Sequence, residues 1–200
     1  MSFFHRCVKL EKSGDDREEE LVSIKILIPK SRIGVIIGKK GETKKLIENE
    51  LNVRLEIDSH SGEVTIYTTQ ENADMLVKAQ DVIKAIGRGF SPEKALLLKN
   101  DEYTLSIIDL TRYAKNKNAL ERIRGRIIGK KGKSRLLIEE ITGTRISVFG
   151  KTVAIIGEWD KVGLAEEAIR KIAEGAPHAR VFDWLYEQKK WEQFEKMERV

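Results

Sequence analysis

Two tetrads of glycine and lysine, Gly38-Lys39-Lys40-Gly41 and Gly129-Lys130-Lys131-Gly132, carry the clearest chemistry in this chain. Each follows a pair of isoleucines, and each is flanked by apolar residues at helical spacing, so each reads as a tight turn between two helices. Glycine permits positive φ and lets a ligand come close to the backbone. The N–H groups that open the second helix are unpaired and lie at the positive end of its dipole. Such a turn is an anion site, and the lysines add two full charges to it.

Other chemistries find less support. Gly132-Lys133-Ser134 has the ending of a phosphate-binding NTPase loop, but that loop needs a glycine at position 127, which is Ile127, and a strand before it rather than a helix. His5, His60, His178 and the single cysteine, Cys7, show no metal-ligand spacing, and no nucleophile or acid–base pair accompanies them. No enzyme activity, metal or cofactor is therefore expected. For the GKKG turns the bland alternative is a Gly-capped helix junction with solvated lysines; two copies in one setting weigh against it.

Composition restricts what the anion can be part of. Two hundred residues with 40% apolar content suffice for two small domains. Lys and Arg number 37 against 32 Asp and Glu, a net charge of +5, which suits a nucleic-acid partner without establishing one. No apolar run is long enough to span a membrane, Met1–Glu20 lacks an apolar signal core, and one cysteine excludes an internal disulfide framework. A cytoplasmic protein is the expectation.

The elements that must hold the turns follow from hydrophobic period. Residues 1–20 end in the charged run Asp15–Glu20 and read as a flexible tail. Leu21–Ile28 alternates as a strand, Arg32–Ile37 and Glu42–Glu50 are helices on either side of the first turn, and strands at Val53–Asp58 and Val64–Tyr67 precede a helix over Glu71–Ile86. The second half repeats this order: strand Tyr103–Leu110, helices Asn118–Ile128 and Lys133–Ile141 around the second turn, strands Thr144–Phe149 and Thr152–Ile156, and helix Trp159–Ala173. At an offset of 91, Gly34–Asp58 and Gly125–Phe149 share 11 of 25 residues, including Gly34/Gly125, Glu48/Glu139 and Arg54/Arg145. Duplication explains this. The expected domains are 21–89 and 103–175, joined by a short ordered linker at 90–102, with a C-terminal helix at 176–200. That helix is expected to pack on the second domain, with a protein-docking role for Trp191 and Phe194 as the alternative.

The order β-α-GKKG-α-β-β-α resembles the type I KH domain, an α+β fold with a three-stranded antiparallel sheet and three helices, and IIGKKG resembles that family's GXXG loop as it stands. The resemblance implies a clamp on about four nucleotides of single-stranded nucleic acid. RIRGRIIGKKGKSRLLIEEITGTRISVFGKTVAIIG at 122–157 and GAPHARVFDWL at 175–185 narrow it. Together with the tandem arrangement they look like the archaeal branch of the Pno/Dim family of small-subunit ribosome assembly factors. This implies binding near the 3′ end of precursor 16S ribosomal RNA, beside the endonuclease that matures that end, and contact with other ribosome-associated proteins. The eukaryotic branch usually loses the first GXXG, whereas Gly38 and Gly41 remain here.

The expected RNA-binding residues are Gly38, Lys39, Lys40, Gly41, Arg124, Arg126, Gly129, Lys130, Lys131, Gly132, Lys133 and Arg135. Basic residues are denser around the second loop, and acids such as Glu42 and Glu48 dilute the first, so the second domain is expected to bind more strongly. Ile127, Ile128, Leu137, Ile146 and Val148 are candidates for either groove floor or core. The competing readings are a general RNA chaperone or decay subunit, and a protein scaffold whose loops bind no nucleic acid.

Overall fold

In the computed structural model, which describes residues 9–12 and 18–198, the chain divides into two compact units between Asn100 and Asp101. No helix among the described residues is long and apolar enough to cross a membrane.

The first unit runs β1 (Lys9–Lys12), β2 (Glu18–Leu27), α1 (Lys30–Ile37), α2 (Glu42–Leu51), β3 (Arg54–Asp58), β4 (Glu63–Thr69), α3 (Ala73–Gly87) and a short α4 (Pro92–Ala95). Its strands pair antiparallel in the order β1-β2-β4-β3. β4 lies in the interior of the sheet, and Val64 and Ile66 are fully buried there. The α1–turn–α2 hairpin and α3 complete a KH framework. Ile36, Ile47, Leu51, Leu55, Ile83 and Ile86 are fully enclosed around it.

Two sequence expectations change here. The flexible tail expected at 1–20 is partly a strand: Lys9–Lys12 pairs with Glu18–Leu21, so this sheet has four strands rather than three. An open strand edge presents unpaired N–H and C=O groups that a neighbouring segment can satisfy. Lys12 stands opposite Glu18 in that pairing. The rest of the expected tail, residues 1–8 and 13–17, lies outside the described residues. The linker expected at 90–102 is instead part of the first unit as far as Asn100. Phe90, Ala95 and Leu98 are buried, Pro92 opens α4, and a 3-10 turn follows over Leu96–Lys99. Arg32 donates to the Ile86 and Phe90 carbonyls at 2.8 and 2.6 Å, tying α1 to this segment.

The second unit comprises β5 (Tyr103–Asp109), α5 (Lys117–Ile128), α6 (Lys133–Thr142), β6 (Arg145–Phe149), β7 (Thr152–Glu158), α7 (Trp159–Glu174) and α8 (His178–Glu198). The sheet order is β5-β7-β6, antiparallel throughout. β7 is buried from Thr152 to Gly157, as a central strand should be. α8 contributes Val181 and Leu185 to the core, and beyond them Trp191, Phe194 and Met197 are exposed. Its first half therefore packs on the second unit.

One carboxylate latch recurs in both units, buried at Glu139 and half-buried at Glu48. Glu139, on α6, accepts the Ile146 N–H of β6 at 2.6 Å and both carboxylate oxygens lie 3.0 Å from Arg135 Nη1, which also donates to the Ile146 carbonyl. In the first unit Glu48 accepts the Leu55 N–H at 2.8 Å, with Lys44 3.8 Å away in the arginine's place. Each latch fastens the helix after the turn to the edge strand of its sheet, which fixes the direction in which the turn projects. Glu139→Ala strands a buried N–H and a guanidinium together. It should lower stability by about 3 kcal/mol, read as a lower urea midpoint at constant m-value. Glu48→Ala, at a more solvated site, should cost about 1 kcal/mol.

Candidate nucleic-acid interface

Each GKKG turn is built by its own backbone. α1 ends where the Gly38 N–H donates to the Gly34 carbonyl at 2.9 Å, and Gly38 itself leaves the helix at φ 71°, ψ 179°. Lys40 (φ 53°, ψ 25°) and Gly41 (φ 81°, ψ 9°) then reverse the chain into α2. The second turn repeats this within a few degrees: Gly129 at φ 73°, ψ 172°, Lys131 at φ 54°, ψ 30° and Gly132 at φ 78°, ψ 5°. Three residues of every four have positive φ. Lys40 and Lys131 are two of only three non-glycine residues with positive φ among the described residues. A left-handed lysine costs on the order of 1 kcal/mol and recurs at functional sites.

The two glycines of a turn have different jobs. A Cβ on Gly38 would collide with the Thr43 side chain and lie 2.8 Å from the Thr43 nitrogen; on Gly129 it would lie 2.6 Å from Ser134 Cβ and 2.7 Å from the Ser134 nitrogen. The first glycine is required by packing. A Cβ on Gly41 or Gly132 would meet nothing within 4 Å, and the same holds at Gly34 and Gly125 on the preceding helix. These positions lie open to an approaching strand. Gly34 and Gly125 were visible in the sequence as shared residues, but their open surroundings were not.

Charge separates the two turns. Neither α2 nor α6 has a side-chain N-cap, so their first N–H groups remain available to an anion. α2 begins with Glu42, which puts a negative charge at that terminus, whereas α6 begins with Lys133. Lys39, Lys40, Lys130, Lys131 and Lys133 are all exposed.

The arginines are divided differently from the sequence expectation. Arg135 is held in the Glu139 latch, and Arg126 donates to the Ala176 carbonyl at 2.6 Å while His178 Nε2 donates to the Arg126 carbonyl at 2.8 Å. Two of the three arginines expected at the RNA, Arg126 and Arg135, are thus engaged by groups of the fold itself, and the Arg126–His178 pair pins the end of α5 to the start of α8. Arg124 is half-buried on α5. Ile127 and Ile146 are core residues, whereas Ile128, Leu137 and Val148 are only partly covered. Leu137 lines a cleft of about 280 Å³ with Gly129, Lys130, Lys133, Ser134, His178 and Phe182. The α8 wall of this cleft lay beyond sequence reasoning, because nothing in the spacing indicates that His178 and Phe182 return to the turn.

Comparison with known proteins fits this geometry. A family model described as a eukaryotic-type KH domain (KH-domain type I), for the second KH domain of PNO1, matches residues 104–190, and a general KH-domain model matches 23–85. A KH domain-containing protein of Methanocaldococcus jannaschii is 52% identical over 174 residues, covering 86% of this chain and 74% of that one. The pre-rRNA-processing protein PNO1 of Chaetomium thermophilum is 30% identical over 165 residues, 80% of this chain and 64% of its own. Among solved structures, a chain of the a/eIF2alpha–aDim2p–rRNA complex from Pyrococcus horikoshii superposes with a TM-score of 0.81 at 48% identity, covering 85% of this chain and 95% of that chain. On two KH units with matching turns, and on the identity and coverage of these archaeal relatives, the chain belongs to the Pno/Dim family of KH-domain proteins.

Proposed function

We propose that this protein is an RNA-binding ribosome biogenesis factor that grips single-stranded RNA near the 3′ end of precursor 16S ribosomal RNA, with the second GKKG turn as the principal clamp. The observation that carries the reading is the second turn itself. An uncapped helix start, a glycine whose open side admits a strand, and three exposed lysines converge within Gly129–Lys133. In this arrangement the backbone of Gly129–Gly132 meets the strand, Lys130, Lys131 and Lys133 neutralise phosphates, and the partly covered Ile128 and Val148 receive base faces. The first turn, with the same backbone but Glu42 at its helix start, is the weaker of the two. The names of the relatives support the assignment to ribosomal RNA: one is a pre-rRNA-processing protein and another was crystallised with rRNA.

The protein performs no catalysis in this reading. It acts in the cytoplasm, where it presents the 3′ end to the endonuclease that matures it. None of the groups at the turns is arranged to make or break a bond: lysines, glycines and helix N–H groups position phosphate and do no more.

The reading is tested by titrating the full chain with a single-stranded RNA matching the 3′ end of 16S ribosomal RNA and with a scrambled strand, at several salt concentrations. Preference for the matching strand and a linear log–log salt dependence are expected. Equal affinity for both strands would remove the ribosomal assignment and leave a general RNA-binding protein. Absence of binding to either would remove the clamp.

A further inference from the structure

Between the first strand and the GKKG turn, the second unit is longer than the first. In unit one, β2 ends at Leu27 and α1 begins at Lys30; in unit two, β5 ends at Asp109 and α5 begins only at Lys117. α5 is also 12 residues long against 8 for α1, so it starts a full turn earlier. This extra material forms one wall of a cleft of about 470 Å³, whose opposite wall is the β6–β7 turn at Gly150-Lys151.

The cleft is built from fixed parts. Asp109 accepts the Thr111 N–H and hydroxyl at 2.9 and 2.7 Å, which sets the course of the chain leaving β5. Asn116 caps α5 by accepting the Ala119 N–H at 2.9 Å. The Leu110 N–H donates to the Lys151 carbonyl at 2.9 Å and so holds the β6–β7 turn against the inserted segment. The lining surface is mostly apolar, with Ala114 and Leu120 contributing to it, and Lys117, Arg124 and Lys151 bring positive charge against one acid of the lining, Glu121. Arg124 Nε is buried there and has no hydrogen-bond partner. Asp109, just outside the lining, offsets part of the Lys151 charge, and Lys117 and Arg124 keep the site cationic. A preformed concave site that combines an apolar surface with an excess of cations suits a ligand having a flat apolar body and a negative charge.

The position of the cleft identifies that ligand. Arg124 and Leu120 precede Gly129 by five and nine residues on a continuous helix, so they lie about 8 and 13 Å from the turn along its axis. A strand clamped at the GKKG turn that continues along α5 enters the cleft. We propose that this cleft is an additional nucleotide-binding site of the second unit, which takes a base of the same single-stranded RNA beyond the four nucleotides of the clamp, the base against Leu120 and Ala114 and its phosphates at Lys117, Arg124 and Lys151. The proposal rests on the RNA-clamp reading above. It gives the second unit a longer footprint than the first, where no inserted segment exists to form such a wall.

The test compares short and extended strands. In a Lys39→Asp/Lys40→Asp background, which silences the first turn, the full chain is titrated with a tetranucleotide from the 3′ end of 16S ribosomal RNA and with heptanucleotides extended on its 5′ or its 3′ side. One of the two extensions should raise affinity at least tenfold. Adding Lys117→Glu/Lys151→Glu should abolish that gain while leaving tetranucleotide binding within twofold, which also shows that the protein remains folded. A heptanucleotide whose added residues are abasic should keep little of the gain. The site is overturned if neither extension helps, if the gain survives the double substitution, or if the abasic strand retains it, since the contacts would then be to phosphate alone. Failure to bind any strand, tetranucleotide included, would instead overturn the clamp and the cleft with it.

Discussion

Lys130→Asp/Lys131→Asp should weaken binding to single-stranded RNA by about two orders of magnitude near 0.1 M salt, whereas Lys39→Asp/Lys40→Asp should weaken it several-fold less. The asymmetry follows from the helix starts that the turns feed. At the second turn, the exposed lysines reinforce the open N–H groups of α6 and are reinforced by Lys133; at the first, Glu42 already offsets the positive end of α2. Reversal of two charges removes two phosphate contacts and sets two repulsions in their place. The log–log salt slope should flatten by about 1.4 for the second-turn variant, near 0.7 for each lost contact on a single strand. A circular dichroism melt should be unchanged, because none of the four side chains is buried. If both variants bind like the wild type, the turns are helix junctions and the scaffold reading takes over.

Gly129→Ala and Gly132→Ala should fail in opposite ways. At Gly129 the added methyl collides with Ser134, and the backbone stands at φ 73°, ψ 172°, a region that is almost exclusively glycine's. Stability should fall by about 3 kcal/mol or more, with RNA binding lost as the α5–α6 junction distorts. At Gly132 the methyl meets no atom, and the left-handed conformation costs only about 1 kcal/mol, so the fold should survive. The methyl then occupies space through which the RNA backbone approaches, and affinity should fall about tenfold or more. Urea midpoints and RNA titrations on the two purified variants separate these outcomes. If Gly132→Ala binds normally, the strand does not run over that glycine.

The order of elements was legible in the sequence because both halves carry the same alternation of periods, two for strands and 3.6 for helices, around a turn with two glycines. The edges of the units were not. Lys9–Lys12 is too short and too charged to announce a strand, and its pairing depends on a free edge of β2 that only the folded sheet presents. Phe90, Ala95 and Leu98 looked like a connection because their apolar residues serve α3 and its neighbours rather than an element of their own. At the site, the loop residues could be named from type and spacing, but the arginines could not be sorted. Arg126 is as basic as Lys130, yet its partner, the Ala176 carbonyl, lies 50 residues away and becomes a neighbour only in the fold. Arg135 stands four residues before Glu139 on one helix, a pairing that helical spacing allows, but the Ile146 N–H and carbonyl that complete the latch reach it only when β6 packs beside α6. In the sequence Glu48 reads as an acid that dilutes the first basic patch, and Glu139 only as its counterpart in the repeat. In the fold they are latches, and it is the N–H of an edge strand that gives them this role.

The left-handed lysines affect how this protein can be engineered. A library randomised at position 40 or 131 and screened by heat alone would favour glycine or asparagine, which take up that conformation more easily than lysine. The winners would melt later and have lost a cation at the point of RNA contact. Thermostability and ligand affinity are thus opposed at single positions in both repeats, and selection for a more robust version of this protein must include RNA in the screen.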